Sequence, residues 1–207
     1  MADIKLTNDE ILVSYDVRSL FTSIPIDQSI TSCEKKLRQD ESLNERTTVS
    51  VATIIQLLRF CLTSTNFQFN GQHYRQLEGV AMGSPVSSVI ADIFMADFEE
   101  TALDNYACPP RIWLRFVDDV LSVIQANPKA TFLEHLNAQN KSIQFTMEEE
   151  LDHSLPFKDV NFTREADGHL ARQVHQKSTH TNRYVQFDSH HPAAVKAGIV
   201  QCLAQRA

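Results

Sequence analysis

Apolar residues are spaced along this chain in two ways, and each spacing predicts a different element. Residues 11–17 form a short apolar run rich in β-branched side chains, which is typical of a buried strand. A helix with one buried face is predicted over about residues 48–62, where five apolar residues recur at helical spacing: Val51, Ile54, Ile55, Leu58 and Leu62. The first part of the chain therefore combines a strand with helices.

Turn signals place two further elements. The turn around Pro25 is followed by Asp27, which can cap a helix that runs to about Gln39. Asn70-Gly71 is a strong signal for a two-residue turn, so residues 66–77 are predicted to form a hairpin.

A long helix is predicted to begin at Ser84-Pro85, with Ser84 at the cap. Pro85 takes the first helical position, where the missing N–H of proline costs nothing. The break at residues 108–110 (Cys-Pro-Pro) ends this helix. Its stripe facing the core is predicted to consist of Val86, Val89, Ile90, Ile93 and Phe94.

The second half of the chain continues the alternation of strands and helices. A strand–turn–strand is predicted over 112–125, a helix over 129–140, a strand over 143–149, a hairpin over 155–175, and a last helix from about Pro192. The pattern indicates an α+β fold, in which an antiparallel sheet packs on helices.

Composition supports a folded protein and limits its location. Apolar residues make up 43% of the 207, which argues against disorder. No apolar stretch approaches the ~20 residues of a membrane span, and the N-terminus lacks the apolar core of a signal peptide. We therefore expect a soluble, intracellular protein with no membrane partner. The cysteines are scattered, which predicts free thiols: Cys33, Cys61, Cys108 and Cys202.

Charge is unevenly divided along the chain. The net charge of −7 is unfavourable for contact with phosphates. Residues 164–207 are the exception, with 6 Lys+Arg against 3 Asp+Glu, while residues 1–163 hold 13 against 23. An acidic catalytic platform followed by a mildly basic segment would give this division, and so would ordinary scatter of surface charge.

Three aspartates stand where a carboxylate is costly. Asp16 ends the apolar run of residues 11–17, and Asp118-Asp119 lies between strand-forming residues. Adjacent carboxylates repel each other in a half-buried sheet unless a cation neutralises them. If the strands lie side by side, the three side chains form an oxygen-only pocket for hard divalent cations. The alternatives are a solvated turn for the pair, and a helix cap or a buried ion pair for Asp16.

Two other segments carry candidate binding residues. Gly79 and Gly83 place adaptable backbone just before the helix that Ser84 caps, where a base or a phosphate can approach closely; an ordinary loop and cap is the alternative. Lys177 and Arg183 suit contact with a nucleic-acid backbone. Around them the sequence is rich in histidine, at His175, His180, His190 and His191. The spacing of these histidines fits no common zinc finger.

Five stretches in this order resemble the palm of a reverse transcriptase, most closely that of the Penelope-like retroelements. They are residues 13–25 (VSYDVRSLFTSIP), 78–85 (EGVAMGSP), 115–119 (RFVDD), 155–160 (LPFKDV), and 177–184 (KSTHTNRY) with 189–192 (SHHP). The chain departs from the family at Glu78, where many members have Gln, and at Ser178 and Asn182, where Pro and Asp are usual.

The resemblance implies an RNA-directed DNA polymerase that acts on an RNA template, a DNA primer and deoxynucleoside triphosphates (dNTPs). Asp16, Asp118 and Asp119 are then catalytic. Asp16 and Asp118, with the Val17 carbonyl, are the implied ligands of two Mg²⁺ ions, for which Mn²⁺ is an alternative. Phe21 is implied to lie under the sugar of the incoming nucleotide and to exclude a 2′-hydroxyl; otherwise it is a core phenylalanine.

The resemblance also assigns roles to the remaining segments. Gly79, Gly83 and Ser84 would position the template and the nucleotide, and Lys177 and Arg183 would contact the nucleic-acid backbone. Residues 1–164 correspond to the palm without the fingers that normally precede it. Residues 165–207 correspond to the connection to the thumb, and a helix-turn-helix-like arrangement is one candidate structure for this segment.

A fragment or a truncated reading frame is therefore expected, without the GIY-YIG endonuclease that often follows in these elements. B-type DNA polymerases and viral RNA-dependent RNA polymerases fit the motifs less well. The alternative function is that of a catalytically inactive, element-derived remnant, which would act at most as a nucleic-acid-binding module.

Overall fold

The computed structural model describes residues 4–127, 129–177, 179, 181 and 183–206. Their contacts divide the chain into two compact units, Asp9–Glu148 and a second formed by residues 4–8 and 149–206. The change of character predicted at residue 165 falls inside the second unit. The assignment of the two parts to a palm and a thumb connection stays a prediction.

The first unit carries most of the regular elements. In chain order they are β1 (Glu10–Val17), α1 (Leu20–Ser23), α2 (Ile26–Gln39), α3 (Leu43–Arg46), α4 (Val51–Thr63), β2 (Asn66–Phe69), β3 (Gln72–Arg75), α5 (Pro85–Asp104), β4 (Ile112–Phe116), β5 (Asp119–Gln125), α6 (Lys129–Gln139) and β6 (Phe145–Glu149). Each strand and helix predicted in this part of the chain is present, with ends that differ by a few residues.

A four-stranded sheet in the order β4-β5-β1-β6 forms the centre of this unit. β1 pairs with β5, and β5 pairs with β4, both antiparallel. Within β1, Leu12, Val13, Tyr15 and Val17 are buried, whereas Asp16 is exposed. The C-terminal end of β1 is therefore apolar except for the Asp16 side chain, which faces solvent.

Helices pack against the sheet through one continuous core. α2 contacts α4 and α5, and α5 also contacts α1 and α6. The core joins residues of β1 and β5 to residues of α2, α5 and α6, among them Tyr15, Ile90, Phe94 and Phe132. The predicted α+β fold with an antiparallel sheet packed on helices is therefore confirmed.

The buried stripe of α5 differs from the prediction. Ile90 and Phe94 are buried as expected, but Val89 is 57% exposed. The stripe instead follows a heptad-like spacing along the helix, through Ser87, Ile90, Ala91, Phe94, Met95, Phe98 and Ala102. Val89 lies off it because two positions along a helix turn a side chain to the far side.

Two predicted caps also differ in detail. α2 begins at Ile26, so Asp27 lies in its first turn instead of capping it, and the Asp27 carboxylate pairs with Arg59 (Nη1–Oδ1 2.6 Å). Ser84 stands at the cap position of α5, but its side chain makes no capping hydrogen bond. The helix still begins where Pro85 fixes the backbone.

The second unit is smaller. It contains β7 (Ser154–Phe157), β8 (Val160–Arg164), β9 (Leu170–Val174) and α7 (Ala193–Arg206). The three strands form an antiparallel sheet in this order, and the turn between β8 and β9 includes the predicted Gly168 (φ +88°). The C-terminal helix begins directly after Pro192, as predicted.

Two further findings concern the cysteines and the helices of the described residues. All four cysteines are free thiols. Among the described helices, none combines the length and the apolar character that crossing a bilayer requires.

Candidate active site

Two paired strands bring the three predicted aspartates together. Asp16 in β1 lies opposite Asp119, the first residue of β5, and Asp118 occupies the turn that connects β4 to β5. One carboxylate oxygen from each of the three lies within 4.8 Å of the other two. Within the described part of the chain, this trio is the one group of three or more His, Cys, Asp or Glu side chains that could hold a metal ion.

The turn that carries Asp118 is strained and held from one side by β1. Val117, the residue before it, has a φ of 60°, a conformation that a β-branched residue rarely adopts. The Asp118 carbonyl accepts a hydrogen bond from the Val17 N–H at 3.0 Å. Backbone strain of this kind persists where surrounding structure fixes it, and it is frequent at functional sites.

Arg115 holds the same turn from the side of α5. Its guanidinium donates from Nε to Glu99 Oε1 (2.8 Å) and from Nη2 to Asp92 Oδ1 (2.9 Å), and Nη1 lies 3.4 Å from the Val117 carbonyl. The indole N–H of Trp113 donates to the same Glu99 oxygen at 2.9 Å. The turn is therefore tied to α5 through a buried Arg–Glu pair.

The charge of Arg115 is committed to these partners. Burial by itself would lower the pKa of the guanidinium, but hydrogen bonds and charges from Glu99 and Asp92 outweigh it and raise that pKa above its usual value. The side chains of Arg115 and Glu99 are only 11% and 12% exposed. Such a pair is costly to break from one side, because the remaining charge stays buried.

The donor set of the trio fits a hard divalent cation. All three groups are carboxylates, Asp118 and Asp119 are half-buried, and Asp16 is exposed, so the trio opens to solvent on one side. Magnesium takes one or two carboxylates and completes its shell with water and substrate phosphates. Three crowded like charges also repel each other, which a cation would offset.

The loop before α5 packs on α1, the short helix that follows Asp16 and contains Phe21. The Val80 N–H donates to the Phe21 carbonyl at 2.7 Å. Gly79 is buried with a φ of +71°, and a Cβ there would lie 2.5 Å from Thr22 Cα and 2.6 Å from the Phe21 oxygen. Packing between backbones therefore explains this glycine, and a role in nucleotide positioning stays a prediction.

The other loop residues are placed differently. Gly83 is exposed, has a φ of +88° and would meet nothing within 4 Å if it carried a Cβ. Phe21 is half-buried and packs against the core, so its ring is anchored in the protein. The backbone at Gly83 is therefore accessible to solvent, and the Phe21 side chain is held against the core.

Lys177 and Arg183 lie in the second unit. Both are exposed, and both line an open cavity of about 500 Å³ together with Asp159, His175 and Tyr184. Ser178, His180 and Asn182, which the family resemblance includes, lie outside the described residues. The predicted backbone contacts and the arrangement of the histidines therefore stay predictions.

Sequence reasoning missed the partners that position the site. Arg115 was noted only as part of the RFVDD stretch, whereas the structure ties it to Glu99 and Asp92. These two acids are seven residues apart, a spacing that puts them on one face of α5 and could have marked the pairing. The contact of the Thr146 hydroxyl with the Asp16 carbonyl, at 3.4 Å, has no comparable signal.

Solved structures of other proteins share the fold of this chain. Apo telomerase from Candida tropicalis superposes with a TM-score of 0.63 at 13% identity, over 82% of this chain and 33% of that chain. Telomerase from the same organism in complex with the TWJ fragment of telomeric RNA gives 0.62 at 13% identity, over 94% and 33%. The Sicinivirus 3Dpol RNA-dependent RNA polymerase gives 0.52 at 14% identity, over 81% and 37%. This chain spans about a third of the length of these telomerase chains, and the likeness establishes a shared polymerase-like fold.

Sequence comparison identifies the family. Curated protein sequences give no match. Residues 2–153, however, match the family described as reverse transcriptase (RNA-dependent DNA polymerase), and this range is well over half of the chain. The chain therefore belongs to the reverse transcriptase family.

Proposed function

We propose that this chain is the catalytic palm of an RNA-directed DNA polymerase from a Penelope-like retroelement, which adds deoxynucleotides to a primer 3′ end by two-metal nucleotidyl transfer. The single observation that carries the proposal is the convergence of Asp16, Asp118 and Asp119, with ligand oxygens within 4.8 Å of one another. The motifs around them support the retroelement subtype.

Asp16 and Asp118, with the Val17 carbonyl, would hold the two ions, Mg²⁺ or Mn²⁺. When bound, such a pair activates the attacking hydroxyl and stabilises the charge of an in-line displacement. Asp119 starts β5 opposite Asp16 and would keep the field of the site negative. The turn at residues 117–118, fixed by Val17 and Arg115, would keep the two ligand carboxylates at a constant separation.

The residues around the trio supply selectivity in this proposal. Phe21 packs partly against the core, and its ring would clash with the 2′-hydroxyl of an incoming ribonucleotide. The accessible backbone at Gly83 and Ser84, just before the N-terminus of α5, would face the template base and the nucleotide. Gly79 would keep this loop packed against α1 at Phe21.

The second unit would supply contacts to the RNA–DNA duplex. Lys177 and Arg183 line one open cavity together with Asp159, and the two cations would attract a phosphate of the duplex there. The partners of the complete reaction are then an RNA template, a DNA primer and dNTPs, as the family implies.

The test is primer extension by this chain on oligo(dT) annealed to poly(rA) and, separately, to poly(dA). Incorporation of dTMP on the RNA template that requires Mg²⁺ or Mn²⁺ and stops in EDTA is the expected result. The alternative of an inactive remnant predicts no incorporation with either ion, together with retained binding of the primer–template. Equal use of both templates would count against a preference for RNA.

A further inference from the structure

The β2–β3 ribbon presents an unusual surface. It forms a two-stranded sheet of its own, and every residue of both strands is exposed. Phe67, Phe69 and Tyr74 are 51%, 69% and 41% exposed. Large apolar side chains grouped in this way mark an interaction surface more often than isolated exposed residues do.

The three rings lie on one face of the ribbon, which we call the aromatic face (Phe67, Phe69 and Tyr74). Phe67 pairs with Tyr74 across the strands, and Phe69 lies two residues further along the same strand. Residues opposite each other, and residues two apart, share a face in an antiparallel pair. The Phe67 and Tyr74 rings stack with centroids 5.4 Å apart and planes 18° apart.

The chemistry of the ribbon favours nucleic acid over a protein partner. From Asn66 to Gln76 each apolar side chain is aromatic, and the residues between are amides, Gly71, His73 and Arg75. The two strands themselves carry no aliphatic side chain, and the first one beyond them, Leu77, is 81% exposed. Aromatic rings interleaved with amides and a cation can stack on bases and hydrogen-bond to their edges.

Charge supports the same partner. Residues 46–77 contain no Asp or Glu, although these make up 26 of the 207 residues and about four would be expected in a stretch of this length. Arg46 and Arg59 are paired with Asp40 and Asp27, and the ribbon adds Arg75 without any acid. In a chain of net charge −7, this segment therefore does not repel phosphates.

The ribbon is also close in the chain to the candidate active site. The Gln76 N–H donates to the Thr65 carbonyl at 3.0 Å and extends the ribbon pairing by one residue. Four residues later, Val80 is bound to the Phe21 carbonyl in the turn that follows Asp16. The loop that connects the ribbon to α5 is therefore attached to the segment that follows Asp16.

We propose that the aromatic face is a stacking platform for unpaired bases of a single-stranded nucleic acid, which is the template or primer strand outside the active site. The proposal rests on the proposed function for the identity of that strand. Base stacking needs a π-face and not only an apolar side chain, and this requirement makes the platform testable apart from catalysis.

The experiment measures fluorescence anisotropy of 5′-fluorescein-labelled U15 and dT15 with the full chain in EDTA, where metal-dependent chemistry is off. Phe69→Leu keeps an apolar side chain but removes the π-face, and we expect the Kd to rise about tenfold. Phe69→Tyr should bind as the parent chain does. Phe60→Leu is the matched control, because Phe60 is 68% exposed on α4 outside the ribbon, and its Kd should not change.

Thermal unfolding of each variant checks that the exposed substitutions leave the fold intact. An unchanged Kd for Phe69→Leu, or an equal rise for Phe60→Leu, would overturn the proposal. A sedimentation-velocity experiment could also overturn it. If the parent chain self-associates and Phe69→Leu does not, while both bind the oligonucleotides equally, the aromatic face is a protein interface.

Failure of the proposed function is distinguishable from failure of the platform. Absent primer extension with a raised Kd for Phe69→Leu would refute the polymerase and keep the platform. Primer extension together with an unchanged Kd for Phe69→Leu would support the polymerase and refute the platform.

Discussion

Asp16 and Asp119 face each other as register partners across the β1–β5 pairing, although they lie in distant parts of the sequence. Like charges opposite each other in an antiparallel pair destabilise a sheet. Asp118 adds a third carboxylate within 4.8 Å. This register therefore builds an oxygen-rich site of the kind that a divalent cation prefers.

Asp118→Asn should leave the fold intact and raise the melting temperature slightly in metal-free buffer. Removing one of three crowded charges relieves up to about 1 kcal/mol of repulsion, or about 2–4 °C for a chain of this size. Added Mg²⁺ should then stabilise the parent chain more than the variant. Calorimetry with and without Mg²⁺ tests this, with Asp104→Asn at the exposed end of α5 as the control. Equal stabilisation of Asp118→Asn and the parent chain by Mg²⁺ would argue that Asp118 is not a ligand.

Gly79→Ala should destabilise the protein far more than Gly83→Ala. Both glycines have positive φ, so each substitution carries a conformational cost of about 1–2 kcal/mol. Only at Gly79 does the new Cβ also meet backbone, 2.5 Å from Thr22, which adds about 1–3 kcal/mol. Urea unfolding of the two variants gives the comparison. Similar losses at both sites would contradict the packing described here.

Arg115 and Glu99 should be energetically coupled. Arg115→Met removes the charged partner of the largely buried Glu99 carboxylate and leaves it the Trp113 N–H, so the change should cost roughly 2–3 kcal/mol. Combining it with Glu99→Gln should cost less than the sum of the single changes, with a coupling of about 1–3 kcal/mol. Unfolding free energies of the four proteins in this cycle test the pairing, and simple additivity would refute it.

Phe21 should control the choice of sugar. In an active polymerase, Phe21→Ala should lower the preference for dNTPs over rNTPs, because the steric clash with the 2′-hydroxyl is lost. Each ~1.4 kcal/mol of lost discrimination is a factor of ten in the ratio of kcat/KM values. Phe21→Leu controls for core packing, since it keeps most of the apolar volume and should lose less stability. A ratio unchanged by Phe21→Ala would limit this residue to the core.

The ion pair between Asp97 and Lys35 should make part of the free energy of unfolding depend on pH in the acid range. A hydrogen bond from Lys35 (2.6 Å), assisted by one from Ser32, holds the pKa of Asp97 below its usual 3.8. A carboxyl with a lowered folded-state pKa stabilises the protein above its unfolded value, and this stabilisation is lost as the pH falls. The parent chain should therefore lose more stability than Asp97→Asn between about pH 5 and pH 2. Parallel pH profiles of unfolding free energy would contradict this.

Local sequence signals were enough to place most elements. The Asn70-Gly71 turn, the strand of residues 11–17 and the proline start of α5 are where the sequence predicts them, because each depends on nearby residues. The stripe of α5 was wrong at Val89, because the face that a helix buries depends on its neighbours in space.

The candidate site was only partly accessible to the same reasoning. The aspartates could be named from their strand contexts and from the family motifs, but their convergence depends on the β1–β5 register. The packing of Gly79 on Thr22 joins segments that are distant in sequence, so no local pattern predicts it. The bond of Arg115 to Glu99 is marked only by the seven-residue spacing of Asp92 and Glu99 on α5.

Primer extension by matched aspartate variants tests the central claim most directly. With poly(rA)/oligo(dT) and Mg²⁺ or Mn²⁺, the parent chain and Asp104→Asn should incorporate dTMP at equal rates, and Asp118→Asn should incorporate none. Incorporation by Asp118→Asn at the parent rate, or no incorporation by the parent chain with either ion, would contradict the assignment of the aspartate trio as a polymerase active site.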